Sequence, residues 1–320
     1  VAYIYLIIKT KKSNVVKDSK KAISDEERKE VIKKIIGYCI PFIIINISNS
    51  IYNTTDMILI IRGLTNLGYS AKDVETISSI FTTWGSKLIT IVKAFATGLT
   101  ISLIPSIVSA YVKKDMDKAN YYFNNSLKVL LFIITPLTIF LSIFAKEIWY
   151  IFYGQSYYGP IIFKYIILVA ILDSAYIIFF SALQGLYKTK LVYICALSGI
   201  TVNALLDLPL MYLFNRLGIY PYYGAITATV IGYIISLSIP IVSLYKNDGF
   251  RYNDTIKSLP KLIFSILIAI FMCIIYKKIM PQFNGFIGNM LYLGIIGLLT
   301  LTVYFLINKD TIIKLLKEKK

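Results

Sequence analysis

Apolar runs of roughly 20 residues recur along this chain of 320 residues, separated by short polar segments. Nothing constrains its fold more. A bilayer core about 30 Å thick is crossed by about 20 residues of helix, and a soluble core has no room for so many such runs in one domain. Composition agrees. Hydrophobic residues make up 57% of the chain and charged residues only 16%, against about 45–50% and about 25% in soluble domains. The mean hydropathy is +0.69. The chain reads as an all-α integral membrane protein, because backbone polar groups in lipid must be satisfied within their own segment.

Hydropathy predicts eight full spans, at about Ile35–Ile61, Ser79–Ala110, Leu127–Ala145, Ile161–Leu186, Leu191–Phe214, Tyr222–Tyr245, Leu259–Tyr276 and Phe286–Ile307. The opening "VAYIYLII" reads as the end of a ninth, cut short. Twenty-four of the 34 Lys and Arg residues fall in one set of alternating loops and six in the other. The richer set is expected in the cytoplasm, with the C-terminus. The net charge of +17 is then a membrane-rim charge facing anionic lipid, and no nucleic-acid partner is expected.

The first span has polar groups at its centre. On a helix advancing about 100° per residue, Asn46, Asn49, Ser50, Asn53 and Asp56 share an arc of about 120°. In the second span Thr83, Ser86, Lys87, Thr90, Lys93, Thr97 and Thr100 share about 140°. A charge at bilayer depth costs about 2.5–3.5 kcal/mol on insertion scales, so such residues usually face a cavity. Both stripes are expected to line one aqueous cavity with a cationic wall at Lys87 and Lys93. Asn46, Ser48 and Thr55 also fit interhelical hydrogen bonding. Asp56 also fits an interfacial carboxylate or a partner for Arg62. Asp173 and Asp207 are candidate cavity residues or charge partners of a buried lysine. Lys128 and Lys164, near span ends, fit snorkelling.

No catalytic, metal or cofactor site is expected. The chain contains no His, which removes His-dependent nucleophilic catalysis and His-ligated metals. Cys39, Cys195 and Cys273 lie unpaired in apolar runs and read as small core residues. Asp73, Glu75 and Glu147 are scattered, without the clustering a metal-dependent transferase needs. Gly224, Ala228 and Gly232, spaced four apart, form a face for close helix packing. Pro41, Pro105, Pro136, Pro209 and Pro240 sit where neighbouring helices can satisfy the carbonyls they free.

Four stretches carry a resemblance: "FATGLTISLIPSIVSAYVKKDMDKA" (95–119), "AKEIWYIFYGQSYYGP" (145–160), "ALQGLYKTKL" (182–191) and "GAITATVIGYIIS" (224–236). In order and spacing they resemble the C-terminal lobe of the multidrug/oligosaccharidyl-lipid/polysaccharide exporter superfamily. The nearest branch is that of the lipid II flippases and sporulation protein B. The resemblance implies a MATE-like fold whose helices 7–14 these spans would supply. It implies residues 1–8 as the end of a helix of the first lobe and 9–34 as a basic cytoplasmic linker. Residues 35–245 would form the six-helix C-terminal lobe, 246–258 a cytoplasmic loop, 259–307 two additional helices and 308–320 a basic cytoplasmic tail. It further implies alternating access in a bacterial cytoplasmic membrane, without enzymatic activity. The implied cargo is an undecaprenyl-diphosphate-linked glycan, whose tail stays among membrane lipids in a groove beside the last two helices. Lys87 and Lys93 would meet the diphosphate, and Asn46, Asn49, Asn53, Asp56, Thr90 and Thr97 would line its cavity. The N-terminal lobe of the same protein would be a required partner. A drug or cation antiporter of the same superfamily is the alternative; it would want deep acidic residues.

Overall fold

The computed structural model describes residues 24–281 and 285–317, with side chains described except at 34, 35, 37–49, 52, 99, 102 and 314–317. Two units divide at Ile47 and Ser48. In the first, Ser24 starts helix α1 (Asp25–Asn66) with a capping box. Its hydroxyl accepts the Glu27 N–H, and the Glu27 carboxylate accepts the Ser24 N–H.

The second unit carries the end of α1 and eight further helices among the described residues. These are α2 (Ala71–Val112), α3 (Met116–Ile143), α4 (Ala145–Tyr153), α5 (Tyr158–Gly185), α6 (Thr189–Arg216), α7 (Pro221–Asp248), α8 (Asn253–Ile279) and α9 (Gly285–Lys317). Seven of them, all but the short α4, are long and apolar enough to cross a membrane. The first predicted span lies within α1, most of whose intramembrane side chains are outside the described set, and residues 1–8 lie outside it altogether.

Three boundaries differ from expectation. Helix α3 begins at Met116 rather than near Leu127, because its polar first half is satisfied by protein. The Asn124 side chain donates to the Arg251 carbonyl at 2.7 Å and accepts from the Thr255 N–H at 3.1 Å and hydroxyl at 2.7 Å. Asn120 Oδ1 accepts the Arg251 N–H at 2.6 Å. These bonds seat the α7–α8 connection on α3. The stretch between the third and fourth predicted spans is helical over Ala145–Tyr153. The tail expected after residue 307 continues α9 to Lys317.

Pro136 shows how the membrane constraint is met. It removes the N–H that would have bonded the Phe132 carbonyl, and the chain passes through a π-helical turn at Leu130–Ile134. The buried Tyr304 hydroxyl of α9 donates to that carbonyl at 3.0 Å. A second π turn, Ile80–Trp84, precedes Gly85 in α2.

The small-residue face of α7 packs on α6. A Cβ on Gly224 would lie 2.5 Å from the Leu210 carbonyl, and one on Gly232 would lie 2.9 Å from the Gly199 carbonyl and 3.1 Å from Asn203 Cβ. The contact therefore depends on the absent side chains. Near the lysine-rich ends, Lys188 Nζ sits 2.5 Å from Asp248 Oδ1, which also accepts the Tyr111 hydroxyl at 3.0 Å, so α2, α7 and the α5–α6 turn are tied together. Gly232→Leu should separate α6 from α7 and destabilise the fold by about 1–3 kcal/mol, the usual range for overpacking. Unfolding in detergent micelles, compared with Gly98→Leu at an open position, measures it.

Candidate functional site

Four helices of the second unit converge on a polar cavity of about 240 Å³. Helical periodicity selects its lining. Helix α1 gives Asn53 and Asp56; α2 gives Phe81, Ser86, Ile89, Thr90 and Lys93. Helix α5 gives Ile166, Val169, Ala170 and Asp173, and α7 gives Ile226, Thr229 and Tyr233. Spacings of three, four and seven put each set on one helix face.

Lys93 Nζ lies 2.6 Å from Asp173 Oδ2. The lysine side chain is 33% exposed and the carboxylate 14%, so the pair opens onto the cavity and is not sealed in packing. The hydroxyls beside it are turned to their own helix: Ser86 donates to the Thr82 carbonyl at 2.8 Å and Thr90 to the Ser86 carbonyl at 2.8 Å.

On the α1 side of the cavity the ionisable groups are acids. Asn203 Nδ2 of α6 donates to Asp56 Oδ1 and, at 3.4 Å, to Asp207 Oδ2. Asp207 is fully buried, and Thr229 lines the cavity with Asp56, its hydroxyl donating to the Ala225 carbonyl at 3.0 Å. Asp207 Oδ1 and Asn203 Oδ1 have no hydrogen-bond partner among the described residues. The Asn203 amide bridges the carboxylates of α1 and α6, and a proton carried by one of them would offset two adjacent negative charges in a low dielectric.

The structure thus brings together Asn53, Asp56, Thr90, Lys93 and Asp173 from the predicted residues. Asp207 joins them through Asp56 and Asn203 and meets no lysine among the described residues. Asp56 likewise faces Asn203 rather than an interface or Arg62. Lys87 is exposed and does not line the cavity. Thr97 also lies off it, its hydroxyl donating to the Lys93 carbonyl at 3.2 Å. The side chains of Asn46 and Asn49 fall outside the described residues. Asn203, Thr229 and Tyr233 escaped the sequence reading. Asn203 had a signal, since it stands four residues before Asp207 on the same helix face.

A second cavity, about 430 Å³, is almost wholly apolar and lies among α2, α3, α8 and α9, lined by Phe95, Phe132, Phe140, Ile270, Cys273 and Tyr304 among others. Cys195 and Cys273 are buried free thiols, while Cys39 lies outside the described side chains. At the rim, Lys277 of α8 donates to the Ile143 carbonyl at 3.0 Å and pairs with Glu147 of α4 at 3.2 Å.

The Lys93–Asp173 contact can be tested as an energetic unit. Lys93→Ala alone strands a mostly buried carboxylate, so it should destabilise more than the double variant with Asp173→Ala. A double-mutant cycle by unfolding in micelles should give a coupling on the order of 1–2 kcal/mol.

Comparison with known proteins agrees with this architecture. Residues 15–161 match the family model described as "Polysaccharide biosynthesis protein". The lipid II flippase MurJ of Bacillus subtilis (strain 168) is 26% identical over 233 residues, covering 72% of this chain and 42% of that protein. A solved structure titled "Lipid II flippase MurJ, inward closed conformation" superposes with a TM-score of 0.58 at 20% identity, over 83% of this chain and 52% of that one. The chain spans about half the length of these relatives. In sequence this multi-pass membrane protein is similar to a polysaccharide biosynthesis family and to a lipid II flippase, and it shares its fold with a lipid II flippase.

Proposed function

We propose that the chain forms the second-lobe half of a flippase that moves a polyprenyl-diphosphate-linked sugar precursor across a bacterial cytoplasmic membrane by alternating access. The observation that carries this reading is the pairing of two unlike compartments in one unit. One is a polar cavity holding Lys93; the other is an apolar cavity between α3 and the α8–α9 pair. A lipid-linked glycan has the same division, a charged hydrophilic head on an apolar tail. Lys93 meets the diphosphate as a compact point charge with three donors, and exposed Lys87 meets the head at the cavity's approach. The Asn53 amide offers hydrogen-bond donors. The protein does no bond chemistry; it supplies a route. A first lobe completes the cavity, and the lysine-rich ends and C-terminus lie on the cytoplasmic side.

The buried Asp56–Asp207 pair favours a second reading, an antiporter exchanging a cation for a cationic drug. The same experiment separates the two. Cells depleted of their own lipid II flippase are given the full-length gene, and precursor reaching the outer leaflet is measured. Wild type should restore it, while Lys87→Ala/Lys93→Ala at equal membrane level should lose roughly tenfold or more, as for truncation of a charge contact. Full rescue by the double variant removes the cationic route. Failure of well-expressed wild type, with Na⁺-dependent drug efflux instead, moves the chain to the antiporters.

A further inference from the structure

We propose that Asp173 is an exchangeable counterion: it holds Lys93 in the empty cavity, yields it to an anionic diphosphate, and reclaims it on release. The inference rests on the reading that Lys93 meets a diphosphate.

Among the described residues lining the cavity, Lys93 is the only cation, and Asp56 and Asp173 are the acids. The cavity is therefore not a standing cationic trap. Its one positive charge is already neutralised, at 2.6 Å, by a carboxylate from a different helix. An anion entering it gains little from Lys93 until Asp173 lets go. The pair is built so that it can. A third of the lysine side chain is open to the cavity. Its flexible stem lets the ammonium swing without backbone movement. The neighbouring hydroxyls of Ser86 and Thr90 donate to helix carbonyls and carry no charge, so Asp173 is the carboxylate that holds the ammonium.

The exchange sets affinity from both directions. A diphosphate presents more charge and more acceptor oxygens than one carboxylate, so it wins the ammonium. Once displaced, Asp173 stands as an unpaired negative charge, mostly buried, beside a bound anion. That repulsion weakens the bound state and drives Lys93 back. Passage along any pathway needs binding strong enough to enter and weak enough to leave. A fixed lysine without a rival would satisfy only the first condition. Asp173 is on this account a specificity-determining residue that tunes release, and removing its charge tightens binding where a merely structural residue would loosen it.

The test uses the full chain in lipid nanodiscs and follows protection of Lys93 from an amine-reactive ester by peptide mass spectrometry. Two probes are titrated, inorganic pyrophosphate and undecaprenyl diphosphate. The isosteric Asp173→Asn variant should reach half-protection at about tenfold lower concentration of both probes, equivalent to about 1.4 kcal/mol. Asp173→Glu, which keeps the charge, should behave as wild type. Equal half-protection in wild type and Asp173→Asn overturns the exchange, as does weaker protection or none in the variant. A tenfold gain for pyrophosphate, with no protection by undecaprenyl diphosphate in either protein, upholds the exchange and overturns the lipid-linked cargo instead.

Discussion

An ammonium group in the middle of an apolar helix has to be answered by the helices around it, and Lys93 organises this fold's polar interior in that way. Helix α2 is mainly apolar, so Lys93 cannot be satisfied by its own neighbours in sequence. It is met across the cavity by Asp173 of α5. Because α5 also packs on α2 and α7, the ion pair fixes which faces of α2 and α5 look inward. The same inward faces bring Thr229 and Tyr233 of α7 beside Asp56 of α1. Elsewhere the membrane enforces the same rule on the backbone: the carbonyl that Pro136 leaves free is claimed by Tyr304 of another helix.

Much of this was legible in the sequence, for identifiable reasons. The spans from Ser79 onward follow from run length alone. The inward position of Asn53, Asp56, Thr90 and Lys93 follows from helical period, since a polar stripe in an apolar helix needs something polar to face. The stripe on α2 was read too broadly, however. Lys87 and Lys93 are six residues apart, which turns them about 120° from each other. A cavity bounded by four helices accepts one of those directions, and Lys87 lies outside it.

What periodicity could not supply was pairing between distant segments. Asn203 contacts Asp56 across 147 residues of chain, and no local pattern encodes that meeting. Asp207 was expected either to face the cavity or to pair with a buried lysine. It shares the Asn203 amide with a second acid, Asp56. The long polar start of α3 was missed for a related reason. Asn120 and Asn124 precede the apolar run that marks the third span, and they serve as the seat for a connection about 130 residues further on.

That seat has a mechanical consequence. A connection of four residues, Gly249 to Tyr252, joins α7 to α8, and Asn120 and Asn124 bolt it to α3. At the opposite end of the same helices, Lys277 of α8 grips the Ile143 carbonyl and Glu147. Helix α8 is therefore clamped to the α3–α4 segment at both ends and has no free hinge of its own. Helices α3 and α8 both line the apolar cavity, so a tilt of one carries the other, and the wall they share moves as a single piece.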